Sequence, residues 1–407
     1  MKLLSLFIVL ILTTNSFAQV TKVGSDTLYD IAGWNVEWLG NTSNGPTNET
    51  LQYNNVKTVL TNTDMDVWGL AEVCDATLFS NLLTDIPTYS GTLSTFSQTQ
   101  KTALLWKKNM FTLISYANIN DASQSDFYNA FAGRYPLEVV LATKDSLTKD
   151  TLYFYTIHLK ANSGSADQAS YDRRKNAADY LKTWLEKNRA GKKILVLGDW
   201  NDDVDQSVVK IGNYLVTPFE QFKSDTAKYF FPSLRLSLNN ETSYPNYNPP
   251  NMIDHQMTSR QLSDSFYVKN SSGVMKQLKT QISSFLNNTS DHYPVYAQYN
   301  LKRYTKPENN DTIIPIDTTH TGTNSFEAVS NLSVYPNPTV GKLYLMNLPN
   351  DIEKIQLTSI IGDVVEIINV EPNTNIIQIP ERLANGIYML TCKTKNKSYR
   401  NRIVLNR

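Results

Sequence analysis

Acids, amides and imidazoles gather in this sequence where apolar runs stop. Asn35 and Glu37 lie in GWNVEWLG, Glu72 in VWGLAEVCD, and His158 in FYTIHLKA. Asp199 and Asn201 lie in ILVLGDWND, Asp254 in NMIDHQMTS, and Asp291 with His292 in TSDHYPV. Of the four histidines, only His320 lies away from these motifs. Side-chain oxygens without thiolates select a hard cation such as Mg²⁺, Mn²⁺ or Ca²⁺. Converging carboxylates repel one another and stay ionised together only if a cation neutralises them. A cation beside an imidazole suits hydrolysis of a phosphate ester: the metal offsets charge on the phosphoryl oxygens while a carboxylate-oriented histidine takes a proton from water. Each motif also has a plainer reading. Glu72 reads as a solvated strand end, GDWND as a turn or helix cap, His158 as a core histidine, and SDH before Tyr-Pro as a turn. A single site accounts for all of them at once.

Positioning these groups requires strands that end together. Residues 29–36, 64–70, 102–107, 136–142, 151–159 and 193–197 are apolar or alternating runs bounded by turn residues or charge, and each predicts a strand. Asp254 falls on a late strand, and PVYAQY forms the last. Residues 166–188 predict a helix with Ala177, Leu181, Trp184 and Leu185 on one face. Strands with helices between them fit two packed sheets with helices outside. The stretch 204–250 reads as loop-rich.

The chain has 407 residues, 41% hydrophobic and 19% charged, which excludes a disordered protein, a collagen or a coiled coil. Its net charge of zero argues against a polybasic protein that grips nucleic acid by bulk electrostatics. Residues 1–18 read as a signal peptide: Lys2, an apolar run from Leu3 to Leu12, then small residues at Ser16 and Ala18. Residues 19–302 form one large α/β unit, 303–326 have the Thr-, Asn- and Pro-rich composition of a linker, and 327–407 read as short strands with turns. The two cysteines, Cys74 and Cys392, fall in separate units and build no cysteine-based zinc site.

Taken in order, WNVE, LAEV, IHLKA, GDWND, MIDH and SDHYP resemble the endonuclease/exonuclease/phosphatase superfamily, the DNase I-like fold, over about residues 29–300. The resemblance implies a four-layer α/β sandwich with its site at one end of two sheets. It implies metal binding by Asn35, Glu72 and Asp291, with an orienting role for Asp291 as the other reading. It implies that Asp199 and Asn201 hold the scissile phosphate, that His292 is the general base, and that Asp254 orients it. By the same resemblance His158 contacts phosphate or acts as an acid, and Arg134 in AGRYPL contacts phosphate, with a surface ion pair as its plainer reading. Glu37 stands where the family pattern varies, so its role stays open. Lys160 and Asn162 could touch phosphate, and Arg174 faces either the site or solvent.

The tail carries VYPNPTVGKLYL (334–345), QLTSIIGDVVE (356–366) and ANGIYMLTCK (384–393). These resemble the type A sorting domain of the type IX secretion system, a small β-sandwich read by the secretion machinery; a generic carbohydrate-binding or immunoglobulin-like module is the alternative. The expected protein is therefore a secreted or surface-attached phosphodiesterase that uses Mg²⁺, with Mn²⁺ or Ca²⁺ as alternatives. Its expected partners are DNA or RNA and the secretion machinery, with no stable membrane insertion and the oligomeric state left open. A phosphatase, a sphingomyelinase-like phospholipid phosphodiesterase, or a catalytically silent binding protein are the rival readings.

Overall fold

The computed structural model describes residues 19–407 apart from 122, 124, 145–149, 164–166, 211–214, 248–249, 302–332, 338, 347–351, 360–363, 369–375 and 395–397. The expected signal peptide, linker and His320 lie outside the described residues. The chain divides into two compact units, Met1–Glu308 and Asn309–Arg407.

The first unit contains strands β1 (Tyr29–Leu39), β2 (Val67–Val73), β3 (Tyr89–Leu93), β4 (Lys101–Lys107), β5 (Phe111–Asn118), β6 (Leu137–Thr143), β7 (Thr151–His158), β8 (Lys193–Asp199), β9 (Tyr229–Phe230), β10 (Asp254–Ser259), β11 (Gly273–Val274) and β12 (Val295–Tyr299). They form two six-stranded sheets, ordered β11-β12-β1-β2-β4-β3 and β5-β6-β7-β8-β10-β9. Fully buried strands need nearly continuous apolar sequence, and β2 (VWGLAEV) and β8 (KILVLGD) supply it. Between the sheets pack Ile31, Val67, Leu104, Leu137, Val139, Phe154, Leu195 and Leu197. Helix Gln168–Asn188 covers the outer face of the second sheet through Ala177, Leu181 and Leu185, with Trp184 edge-on to Tyr155. Helices Glu49–Asn62 and Ala76–Asp85, which the sequence reading did not place, cover the first sheet. Together these make the four layers of an α/β sandwich. In 204–250 the described residues hold only short helices, Glu220–Lys223 and Leu234–Leu238, and the two-residue β9.

Pairing direction brings the chemistry together. β1 and β2 run parallel, as do β7 and β8, so each pair ends on the same side. β10 runs antiparallel to β8 and β12 antiparallel to β1, so their starting ends join that side. In register, Asp199 lies opposite both His158 and Asp254.

Behind this edge the two sheets touch through glycines. A Cβ on Gly33 would sit 3.2 Å from the Gly198 nitrogen, and one on Gly69 2.7 Å from Leu197 Cγ. Gly198 also has φ +133°, and its Cβ would meet the Ile157 carbonyl oxygen at 2.2 Å.

The second unit carries two sheets. One is built from Ser333–Tyr335, Lys342–Met346 and Ile376–Gln378, the other from Lys354–Ser359, Val364–Ile368, Gly386–Lys393 and Ser398–Leu405. Leu343, Leu345, Ile355, Leu357, Ile377, Leu390 and Ile403 form their shared core. Both cysteines are free thiols.

Overpacking a close contact costs ~1–3 kcal/mol, so Gly69→Ala is expected to lower the thermal midpoint measurably. Gly198→Ala, which adds backbone strain and a backbone clash, is expected to lower it further. An unchanged melting curve for Gly69→Ala would contradict the close sheet contact, and one for Gly198→Ala would contradict the tight β7–β8 pairing.

Candidate active site

The site begins with two bulges. The register of β1 against β2 shifts between Asn35 and Leu39, and that of β2 against β4 shifts between Leu70 and Val73. Glu37 (φ 49°), Trp38 (φ 52°) and Glu72 (φ 64°) sit there in the left-handed region, joined by Asn201 (φ 55°) after β8. Such conformations cost non-glycine residues of order 1–3 kcal/mol each and persist where surrounding contacts fix them. The contacts are visible. Gln52 Nε2 reaches the carbonyls of Val36 (2.9 Å), Glu37 (2.6 Å) and Thr289 (3.1 Å). Trp38 N donates to Glu72 Oε2 (3.0 Å), and Asp291 N donates to Glu37 Oε2 (2.9 Å). A bulge re-aims the side chains it carries, and here Asn35 and Glu72 turn toward one point.

At that point Asn35 Nδ2 donates to Glu72 Oε1 (3.1 Å) and Asp199 Oδ2 (3.0 Å). His292 Nδ1 donates to Asp254 Oδ2 at 2.7 Å, and its Nε2 lies 3.9 Å from Asp199 Oδ2 and 3.8 Å from Asp291 Oδ1. His158 Nε2 lies 3.5 Å from Glu72 Oε1 and 3.6 Å from Asp199 Oδ2. Asn201 donates its backbone N–H to Asp199 Oδ1 (2.9 Å) and its amide to the Leu159 carbonyl (3.0 Å). Two serines frame the dyad. Ser290 Oγ bonds the Asn35 carbonyl (2.6 Å) and accepts from His292 N (3.0 Å), while Ser243 Oγ accepts from Asp254 N (3.0 Å).

Glu37, Glu72, Asp199, Asp291, His158, Asn201, His292 and Asn162 line one cavity of about 330 Å³. Asn35 and Asp254 support it from behind. Tyr244 and Tyr247 complete the wall, the Tyr244 ring 4.7 Å from that of His292. Sequence reasoning gave no role to these tyrosines, Gln52, Ser243 or Ser290. The tyrosines lie in YPNYNPP, where nothing in the local pattern marks a site.

The two arginines lie behind the cavity. Arg134 gives Nε to the His158 carbonyl (3.0 Å), Nη2 to the Leu159 carbonyl (2.7 Å) and Nη1 to Gln100 Oε1 (2.9 Å). It therefore holds the strand end that carries His158. Arg174 is fully buried and pairs with Asp202 Oδ2 (2.7 Å), while its Nη1 reaches the Lys160 carbonyl (2.8 Å). Lys160 turns its ammonium to the Ala161 carbonyl, and Asn162 donates to the Tyr247 hydroxyl (3.1 Å).

The charge balance of the cavity is unfavourable without a cation. Burial and then Asp291 push Glu37 up to about 7. Burial raises Glu72, and burial followed by repulsion from Asp254 raises Asp199. Burial alone would lower His292, but Asp254, Asp199 and Asp291 outweigh it and hold the imidazole protonated. Burial and nearby Arg134 keep His158 neutral. Among the described residues, the ligand atoms of Asp199, Asp254 and His292 lie within 4.8 Å of one another, and Asp254 Oδ1 is buried without a hydrogen-bond partner. Crowded, oxygen-rich and short of positive charge, the cavity fits a hard divalent cation.

A buried carboxylate edge, an Asp–His pair and an imidazole at the end of a four-layer sandwich define a metal-dependent phosphoester hydrolase. The chain belongs to the endonuclease/exonuclease/phosphatase family, whose model matches residues 32–292. The enzymes of this family depend on a divalent metal, and this chain is a hydrolase of phosphate esters. Residues 333–406 match a secretion system C-terminal sorting domain, which marks the protein for type IX export to a secreted or surface-attached location. Among solved structures, TDP2 of D. rerio with a single-strand DNA product is similar at 14% identity, over 68% of this chain and 100% of that one, with a TM-score of 0.51. An endonuclease/exonuclease/phosphatase of Bacteroides vulgatus (15% identity, 67% and 99% covered, TM-score 0.49) and a mannosyl-6-phosphatase of Bacteroides thetaiotaomicron (15%, 66% and 98%, 0.47) also match. No curated protein sequence matches the chain. No helix among the described residues is long and apolar enough to cross a membrane.

The unfolded imidazole titrates near 6.5, so the extra proton on His292 stabilises the fold fully below that value and the contribution is lost as pH rises. His158 and His255, both lowered by burial, act in the opposite sense, but only until the unfolded imidazoles are neutral. In EDTA, stability is therefore expected to fall as pH rises above about 6.5, with Glu37 and Asp199, both raised to about 7, adding to the fall at its lower end, and His292→Asn to flatten it. A rising thermal midpoint over this range would contradict the electrostatics described.

Proposed function

We propose that the protein is an exported phosphodiesterase that hydrolyses DNA or RNA by water attack at phosphorus, with Mg²⁺ as the cation. The observation that carries this reading is the 2.7 Å bond from His292 Nδ1 to Asp254, which leaves Nε2 beside Asp199 and Asp291 in the cavity. An acceptor nitrogen oriented by a buried carboxylate is what a general base needs.

Glu72, Asp291 and the side-chain oxygen of Asn35 would hold the cation, with Glu37 beside them, and it would supply charge neutralisation for the phosphoryl oxygens and for these carboxylates. Once its extra proton has passed to solvent, His292 accepts a proton from the attacking water at Nε2, with Nδ1 still donating to Asp254. Asp254 fixes the ring and its tautomer. Asp199 and Asn201 stand beside the phosphate position, and the hydrogen bonds that Asn35 and Asn201 make hold them there. His158, kept neutral, donates a hydrogen bond to a phosphoryl or leaving oxygen. Arg134 acts through His158, whose carbonyl it binds. The aromatic wall of Tyr244 and Tyr247 supports a substrate with flat groups next to the phosphate.

The test is a panel of plasmid DNA, RNA, p-nitrophenyl phosphate and sphingomyelin, each with Mg²⁺ and with EDTA. Nucleic acid is expected to be cut only with Mg²⁺, and His292→Ala to reduce kcat/KM by ~10²–10⁴-fold. Hydrolysis of sphingomyelin or the monoester without cutting of nucleic acid assigns the chain to a lipid phosphodiesterase or a phosphatase instead. Cutting that survives EDTA contradicts the cation.

A further inference from the structure

A second cavity of about 540 Å³ adjoins the catalytic one, and the two share Trp38 and Asn44 in their walls. Its lining differs in kind. The catalytic cavity carries four carboxylates and two imidazoles, whereas this one is lined by amides, hydroxyls and rings with Arg134 as its charged residue. The donor nitrogens of Arg134 are already engaged by two carbonyls and Gln100. Arg134 is the single cation among the lining residues, and its planar group is tied to the protein by these three bonds.

What the cavity offers is stacking and two-way hydrogen bonding. Trp38 is half-buried at the shared wall. Tyr128 is 52% exposed, with its ring set edge-on to Tyr135 at 6.0 Å and tilted against Phe96 at 6.2 Å. These neighbours fix the ring while leaving a face open. Gln98 Nε2 donates to the Gln100 carbonyl (3.3 Å) and Gln100 Oε1 accepts from Arg134 (2.9 Å), which leaves the Gln98 oxygen as acceptor and the Gln100 amide N–H groups as donors. Among the described residues, Gln98 Oε1 is buried with no hydrogen-bond partner, and a buried acceptor left unpaired is costly. A turn of the half-buried Gln98 side chain toward the cavity would offer that oxygen to a ligand N–H group and relieve the cost.

We infer that this cavity is a nucleoside subsite: it takes the sugar and base joined to the phosphate held in the catalytic cavity. The base stacks on Tyr128 or Trp38, and its edge pairs with Gln98. The inference deepens the nuclease reading and rests on the catalytic cavity as the phosphate position. The volume suits a nucleoside-sized unit, and a lining mostly of amides, hydroxyls and rings suits a sugar and base.

The test is calorimetric binding to the full-length His292→Ala protein with Mg²⁺, which removes turnover. The probes are adenosine 5′-monophosphate, thymidine 5′-monophosphate, ribose 5-phosphate and inorganic phosphate. Base stacking is worth ~1–3 kcal/mol, or ~5–150-fold, so at least one nucleotide is expected to bind 5-fold or more tightly than ribose 5-phosphate. Adding Tyr128→Ala or Gln98→Ala is expected to remove that advantage without weakening the binding of inorganic phosphate. Equal affinity for nucleotides and ribose 5-phosphate overturns the inference, as does an advantage that both variants retain. Failure of the nuclease reading looks different: plasmid and RNA stay intact while the nucleotide advantage persists and depends on Tyr128, which supports the subsite and assigns it to small nucleotide esters.

Discussion

Too many carboxylates share one buried cavity, and much of the local structure follows from that. Glu37, Glu72, Asp199 and Asp291 line it, and Asp254 lies just behind. Burial, and then repulsion among them, raises Glu37, Glu72 and Asp199, while attraction to Asp254, Asp199 and Asp291 keeps a proton on His292. The fold sustains this by surrounding the acids with donors: the Asn35 amide, the backbone N–H groups of Trp38, Asp291 and Asn201, and the His292 ring. Stability is given up at the site in exchange for affinity toward a cation. That is the expected signature of a metal-dependent hydrolase rather than of an inert scaffold.

The strained backbone belongs to the same account. Four non-glycine residues in the left-handed region all border the cavity. Each places a carboxylate, an amide or a backbone N–H where a regular strand would aim it elsewhere. Gln52 and Ser290 bind the distorted segments to one another, so helix Glu49–Asn62 and the loop before β12 act as braces for β1. Arg134 and Arg174 do the same for the second sheet, one at the end of β7 and the other at the loop after β8. The close glycine contacts behind the edge bring the two sets of strand ends within reach of a single ligand.

Much of this was legible in the sequence because buried strands need apolar runs, and those runs stop at the site. The expected strands 102–107 and 193–197 coincide closely with β4 and β8, and the helix expected at 166–188 is Gln168–Asn188. The motifs at Asn35, Glu72, His158, Asp199, Asp254 and His292 converge as one site requires. What was not legible depends on tertiary contact. Helix Glu49–Asn62 turns Gln52 inward among Val56, Val59 and Leu60, which breaks the apolar stripe that would have announced it. Gln52, Ser243 and Ser290 act through hydrogen bonds to residues that are mostly distant in sequence. Arg134 and Arg174 read equally well as surface or site residues; burial and specific carbonyl partners gave them their places. Tyr244 and Tyr247 reach the cavity from a stretch with no periodicity.

Protonation and cation binding should be inseparable here, and calorimetric titration of Mg²⁺ or Mn²⁺ at neutral pH, repeated in buffers of different ionisation enthalpy, measures that link directly. The account predicts saturable binding with net release of protons from Glu37, Asp199 and His292, and loss of that binding in Glu72→Gln. Binding with no proton release, or no binding by a folded protein, would contradict it.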